Sequence, residues 1–220
     1  VAELRTEEEQ IEAIKSWWKE NGKSLLLSIL VVVSAVVGWK SWQQYQVNQA
    51  SQASALYQNL VDAVIQTVGN QADAGAVSTA EHLSERLKGD FTKTSYAQFA
   101  ALLMARVAVE QGDLSRAQQE LDWLLDGRAE GDILRVANLR KGRVLAELGL
   151  VDDAIALLQN ADAGAFESGY QELLGDLYSM SGRVDQARAA YNRALEVSQT
   201  SQGQAILRMK RDDLGIEVDS

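Results

Sequence analysis

Few residues in this chain are of the kinds that perform covalent or proton-transfer chemistry, and their spacing argues against it. The single histidine, His82, stands between Glu81 and Glu85 on a charged stretch, where a lone histidine is a surface residue rather than a metal ligand or acid–base group. There is no cysteine, which excludes a thiol nucleophile, a zinc–thiolate site and any disulfide. The paired carboxylates Asp152-Asp153 and Asp212-Asp213 are adjacent, so each pair splits to different sides of a helix or its cap. No phosphate-binding glycine loop or dinucleotide fingerprint occurs. The residues therefore predict no catalytic site, no cofactor and no metal. They favour recognition through arginine and apolar side chains, and that depends on the elements which present them.

Composition points to helices. The chain has 220 residues and no proline, and its Ala, Leu, Gln and Glu favour helix throughout. The net charge is −10, of which residues 1–40 contribute −1 through six acidic and five basic side chains. The rest of the chain is acidic, with its charges dispersed as on a solvated helical surface. Such a body gains nothing from a phosphate backbone, so nucleic acid is excluded as a partner.

The informative spacing is long. Three segments share the form Gly-x-(Leu/Val)-x-x-Ala: Gly112 to Ala117, Gly149 to Ala154, and Gly182 to Ala187. The alanines lie 37 and then 33 residues apart, near the period of about 34 of a tetratricopeptide unit. Gly ends one helix in the left-handed conformation, and Leu or Val plugs the turn. A neighbouring Asp or Ser is placed to cap the next helix. Ala then sits where two helices cross closely. Four residues after each Ala comes a large residue, Leu121, Leu158 or Tyr191. Twelve before it comes a small one, Ala105, Gly142 or Gly175. These residues resemble the tetratricopeptide family, most closely in the third unit, although the family's proline near the end of the second helix is missing. The reading is an all-α fold: one N-terminal transmembrane helix, then a tetratricopeptide-like α-solenoid of about four helix pairs and a capping helix, Ser201–Leu214. Residues 49–68 and 74–88 supply the most divergent pair, broken at Val68-Gly69-Asn70 through Gly75, and Gly215–Ser220 is expected to fray.

Counting back from each Ala in that family's register places Phe99, Leu102, Arg106 and Val109, then Val136, Leu139 and Arg143, then Glu172, Asp176 and Ser179, on one face of the first helices. Arg106 and Arg143 are equivalent. Apolar residues beside arginine suit an extended peptide, with the guanidinium groups taking carbonyls or acidic groups. The same positions also serve helix-to-helix packing, so the sequence leaves a binding groove and plain packing both open.

The N-terminal part belongs to a lipid bilayer. Ser24 to Trp39 is uncharged and mostly Leu, Ile and Val, spanning about 24 Å as helix. Lys23 and Lys40 can snorkel, and Trp17, Trp18, Trp39, Trp42 and Tyr45 suit both interfaces. Acidic residues before the span and a distant A-x-A site argue against a cleaved signal peptide. Arg5, Lys15, Lys19 and Lys23 precede the span, whereas Lys40 is the last basic residue until Arg86. The positive-inside rule then predicts a single-pass membrane protein with its N-terminus in the cytoplasm and the residues beyond about 45 outside, which in a bacterium is the periplasm. Expected boundaries are a cytoplasmic segment at 1–22, a transmembrane helix at 23–43 and a periplasmic domain at 44–220. The first segment reads as an amphipathic helix over 6–21, capped by Thr6 with Glu9 and stopped at Gly22, or as a charged flank. Ser24 with Ser28, and Ser34 with Gly38, form weak small-residue pairs for helix approach.

The run from Glu8 through Ile11, Ile14, Trp17-Trp18 and Asn21-Gly22-Lys23, the apolar span, and Gly38-Trp39-Lys40-Ser41-Trp42 resemble the start of the YfgM-type ancillary subunit of the bacterial Sec translocon. The resemblance is strongest over residues 7–60. It implies association with the SecYEG channel and with a membrane-anchored periplasmic chaperone of prolyl-isomerase type. It also implies a role in passing unfolded secretory polypeptides to the periplasmic chaperones. A regulatory adaptor restraining a signalling partner and a homo-oligomeric structural envelope protein are the competing readings.

Overall fold

The computed structural model describes residues 7–67 and 74–214, all of whose regular structure is helical. Thr6 of the expected capping box, Arg5, the break at Val68-Gly69-Asn70 and the tail Gly215–Ser220 lie outside those residues. Contacts divide the chain into two compact units, Val1–Ser51 and Gln52–Ser220.

The first unit is the greater part of α1 (Glu7–Ile65). This helix is long and apolar enough to cross a membrane. Its apolar side chains from Leu25 to Val37 are exposed, and so are Trp17, Trp18, Trp39 and Trp42, each by more than half. A core helix of a water-soluble domain would bury them. Gly22 does not end the helix, contrary to expectation. It sits inside α1 with no positive φ, and the Trp18 ring lies over it, 3.2 Å from where a Cβ would stand. A glycine stop needs the left-handed conformation and a closing turn. Here Lys23-Ser24-Leu25 continues with residues that sustain helix, against a cost of about 1 kcal/mol for an internal glycine.

The second unit holds the end of α1, then α2 (Ala74–Asp90), α3 (Ser95–Glu110), α4 (Leu114–Leu125), α5 (Gly131–Glu147), α6 (Val151–Asn160), α7 (Glu167–Met180), α8 (Val184–Val197) and α9 (Ser201–Asp213). A 3₁₀ turn, Gly164–Phe166, leads into α7. The pairs α3–α4, α5–α6 and α7–α8 are the three units seen in the sequence. The end of α1 with α2 is the divergent pair, and α9 is the cap.

The turns are made alike. Gly112, Gly149 and Gly182 take φ of 77°, 77° and 71°. The next amide in each reaches back over the turn: Asp113 to Ala108 O at 2.9 Å, Leu150 to Leu145 O at 2.8 Å, and Arg183 to Tyr178 O at 2.8 Å. This closes the helix end with a Schellman bond and returns the chain antiparallel. Asp113 then caps α4, accepting from the Arg116 amide at 2.9 Å. The other two turns differ from expectation. α6 and α8 start without a side-chain cap, and Asp152, Asp153 and Asp185 lie in the first turn. There they favour the positive end of the helix without bonding it.

Ala117, Ala154 and Ala187 are completely buried. The paired sizes across each hairpin match. A Cβ on Gly142 would stand 3.2 Å from methyl groups of Leu158 and Leu173, and one on Gly175 would overlap the Tyr191 ring. Three adjoining cores result from this packing. The first joins α1, α2 and α3 through Ala53, Leu60, Leu87, Ala97 and Met104. The second joins α3, α4 and α5 through Ala105, Ala117, Leu121 and Val144. The third joins α5 to α9 through Leu158, Tyr170, Leu177, Tyr191 and Leu207.

Candidate functional site

Because the Schellman turns repeat, the first helices of successive pairs come to lie side by side: α3 meets α5, and α5 meets α7. Equivalent positions then fall near one another. Arg106 and Val109 of α3 and Arg143 of α5 line one pocket of about 460 Å³, together with Arg140, Glu110 and Glu147. Its apolar floor comes from Ala105, Leu121 and Val144, all buried, with Leu114 half-buried at the turn.

Three guanidinium groups converge here, and each is held differently. Arg106 is exposed and pairs with Glu110 one turn on, Nε to Oε1 at 2.7 Å. Arg140 is half-buried, and its Nη1 donates to the Leu102 carbonyl at 2.9 Å. Arg143 is exposed and makes no hydrogen bond or ion pair among the described residues. Burial, then the neighbouring charges of Arg106 and Arg143, hold the Arg140 pKa below its ordinary value. The group remains a cation, since arginine titrates far above neutrality. A cluster of like charges only partly answered by carboxylates is an anion-accepting surface with an apolar floor.

The remaining residues expected on this face go elsewhere. Phe99 is exposed and lies beside Tyr57, ring centroids 6.1 Å apart, with Tyr96 also against Tyr57 at 5.8 Å. Leu102 packs on the second core and Leu139 on the third. Val136 is half-buried on α5, and Ser179 is exposed near the end of α7. Glu172 and Asp176 do not extend the arginine pocket. They hold Lys210 of α9, whose Nζ donates to Glu172 Oε1 at 2.8 Å and to both Asp176 oxygens at 2.9 and 2.8 Å. The Tyr191 hydroxyl also donates to Asp176, at 2.7 Å. Packing thus claims some of these positions, a pocket claims others, and α9 claims the rest.

The same fold matches the family model for the tetratricopeptide repeat-like domain over residues 15–216. The chain is 31% identical over 208 residues to the ancillary SecYEG translocon subunit of Haemophilus influenzae, covering 94% of this chain and 97% of that one. The chain belongs to the ancillary SecYEG translocon subunit family. Two further subunits of that name are similar to it: that of Escherichia coli, 29% identical with 96% and 97% covered, and that of Aggregatibacter actinomycetemcomitans, 32% identical with 86% and 89% covered. No solved structure matches.

Sequence reasoning missed two features of this translocon-subunit domain. Arg140 was hidden because its register position is apolar in the other units. The second is a buried ion network between α2 and α4. Lys88, 9% exposed, bonds Glu120, 3% exposed, at 2.9 Å, and Glu85 at 2.8 Å. Arg116 reaches Glu81 and Glu120 at 3.3 and 3.4 Å, and the Lys88 ammonium lies 5.9 Å from the Trp123 ring. His82 stands at the rim of this network. Lys88 and Glu120 are 32 residues apart, and no local pattern announces their meeting.

Proposed function

We propose that the chain is a membrane-anchored, protein-binding scaffold of the Sec translocon that helps pass translocated polypeptides to periplasmic chaperones. One observation carries this reading: a helical-repeat domain with an accessible arginine pocket comes after, in the same chain, a helix able to cross a membrane. The names of the relatives supply the SecYEG channel as the partner. The excess of Lys and Arg before the apolar stretch supports a cytoplasmic N-terminus, which puts residues 44–220 in the periplasm and residues 1–22 in the cytoplasm. On that side the domain meets unfolded secretory polypeptides as they emerge, and a membrane-anchored chaperone of prolyl-isomerase type is the companion the family resemblance implies. Arg106, Val109 and Arg143, with Arg140 beside them, form the face offered to them. Exposed Val109 adds apolar area beside the arginines, a mixture suited to extended chains of varied sequence.

Photo-crosslinking in living cells tests this reading. A crosslinker in place of Val109 is expected to trap secretory chains during export, and one in place of exposed Met180 is not. Gentle solubilisation and purification of the tagged full chain should recover translocon subunits and the chaperone. Recovery of neither, or a reporter after Ser220 that is active only in the cytoplasm, would overturn it.

A further inference from the structure

We propose that Arg106, Arg140 and Arg143 form a seat for the carboxylate of an acidic side chain, so that the pocket between α3 and α5 selects extended peptide segments carrying Asp or Glu among aliphatic residues. The inference rests on the peptide-binding reading of this face and names the chemistry it prefers.

The repeat register supplies the first reason. Arg140 stands fourteen residues before Ala154. The equivalent positions before Ala117 and Ala187 are Leu103 and Leu173. Leu173 is 7% exposed in the third core, and Leu103 packs against the first. Packing alone therefore asks for leucine here. An arginine brings a desolvation cost that a leucine would not. Within the fold its return is a bond to one neutral carbonyl, that of Leu102, although a guanidinium carries five donors.

Charge supplies the second reason. Three cations and two carboxylates, Glu110 and Glu147, line the pocket, leaving local positive charge on a chain whose net charge is −10. Glu110 is already taken by Arg106. Arg143 is unengaged among the described residues, and Arg140 is held below its ordinary pKa first by burial and then by its two like-charged neighbours. A carboxylate entering between them would relieve that repulsion and gain charge-assisted hydrogen bonds. The apolar floor of Leu121 and Val144, with exposed Val109 beside it, would take the flanking aliphatic side chains. Because the chain as a whole is acidic, its overall charge disfavours an acidic segment elsewhere, which adds contrast to the seat.

The test uses the full chain in lipid nanodiscs and short, C-terminally amidated peptides alike except for a central Glu, Gln or Lys. The Glu peptide should bind about tenfold tighter than the Gln peptide, the size of one charge-assisted bond in a half-buried site. The Lys peptide should be weakest, and added salt should narrow the gap. Arg143→Gln should weaken the Glu peptide about tenfold, removing its preference, and weaken the Gln peptide much less. Arg140→Leu should do the same without loss of helicity, as the register comparison requires. Should Arg140→Leu fail to fold, arginine is structural there and the register reason is lost, and Arg143→Gln, exposed and free of internal bonds, decides the proposal. Equal affinity for the three peptides overturns the inference and leaves the peptide-binding reading intact. A uniform loss across all three in Arg143→Gln likewise removes the acidic seat. Failure of every peptide to bind overturns both.

Discussion

Arg106, Arg143 and Asp176 hold the same place in three successive hairpins, eleven residues before Ala117, Ala154 and Ala187. Over α3 and α5 that place is basic and faces an open pocket. Over α7 it is acidic, and α9 fills it with the Lys210 ammonium. One backbone plan therefore yields two surfaces of opposite sign, one free for a partner and one satisfied within the chain. The contrast shows how a repeat protein separates binding from termination. The last unit needs a cover for its exposed face, and an acidic pair lets a charged helix provide it. The middle units keep their charges only partly answered, Arg106 by Glu110 and Arg143 by no described partner, which is tolerable because both are exposed.

The largest effect that would sharpen this comparison is expected in the closed half. The Tyr191 hydroxyl is bonded to Asp176, so the ring cannot retreat from a side chain placed at Gly175. Gly175→Ala should cost about 2–3 kcal/mol of stability by overpacking. Gly142→Ala meets only flexible leucine methyls at 3.2 Å, and should cost about 1 kcal/mol or less. Denaturant unfolding of the two variants measures the difference, and equal losses would break the comparison.

Next is Lys210→Met. It leaves Glu172 and Asp176 facing each other without their cation, so α9 should open. Hydrogen exchange should rise across Ser201–Asp213 and stay unchanged in α3 to α6. Arg143→Met, in the open half, should change exchange nowhere.

An alkaline titration tests the same lock. Burial lowers the Lys210 pKa, but its hydrogen bonds to Asp176 and Glu172 outweigh that, and the net shift is upward. Burial first, then the bond to Asp176, raises Tyr191. In both groups the protonated form is the one the fold favours. Their stabilisation is therefore complete below the ordinary values of lysine and tyrosine, and is lost as pH rises through the raised ones. As pH rises past the ordinary lysine value of about 10.4 and through the raised one, α9 should loosen while α3 to α6 remain folded, and the Lys210→Met chain should lack the lysine part of this transition. Far-UV circular dichroism with tyrosine absorbance reads both events.

The smallest effect belongs to the open half. Arg106→Gln removes an exposed pair, one turn apart on α3, and should alter stability by no more than about 0.5 kcal/mol. A larger loss would mean that the pocket is a structural brace.

Residues 112–117, 149–154 and 182–187 were legible because a turn is local chemistry: glycine for the left-handed bend, alanine for the close crossing. The membrane-length helix was legible for a similar reason, since apolarity over Ser24–Trp39 is a property of consecutive residues. Gly22 misled because a glycine's effect depends on its C-terminal neighbours, here helix-sustaining ones, and on the Trp18 ring above it. The face of the first helices was only partly legible. The register located Arg106, Val109 and Arg143 together, yet it could not tell that Leu102 and Leu139 enter cores or that Glu172 and Asp176 meet α9.

The sequence by itself determined the all-helical repeat, its hairpin turns and the apolar stretch that a bilayer accommodates, because each arises from the period and chemistry of neighbouring residues. Only the tertiary structure decided that Lys88 buries with Glu120, that Arg140 joins two other guanidinium groups, and that Lys210 closes the last hairpin. The bonds that mark those meetings link residues 32 to 38 apart along the chain. They depend on how helices stack, and stacking is set by the summed packing of many small and large side chains rather than by any one of them.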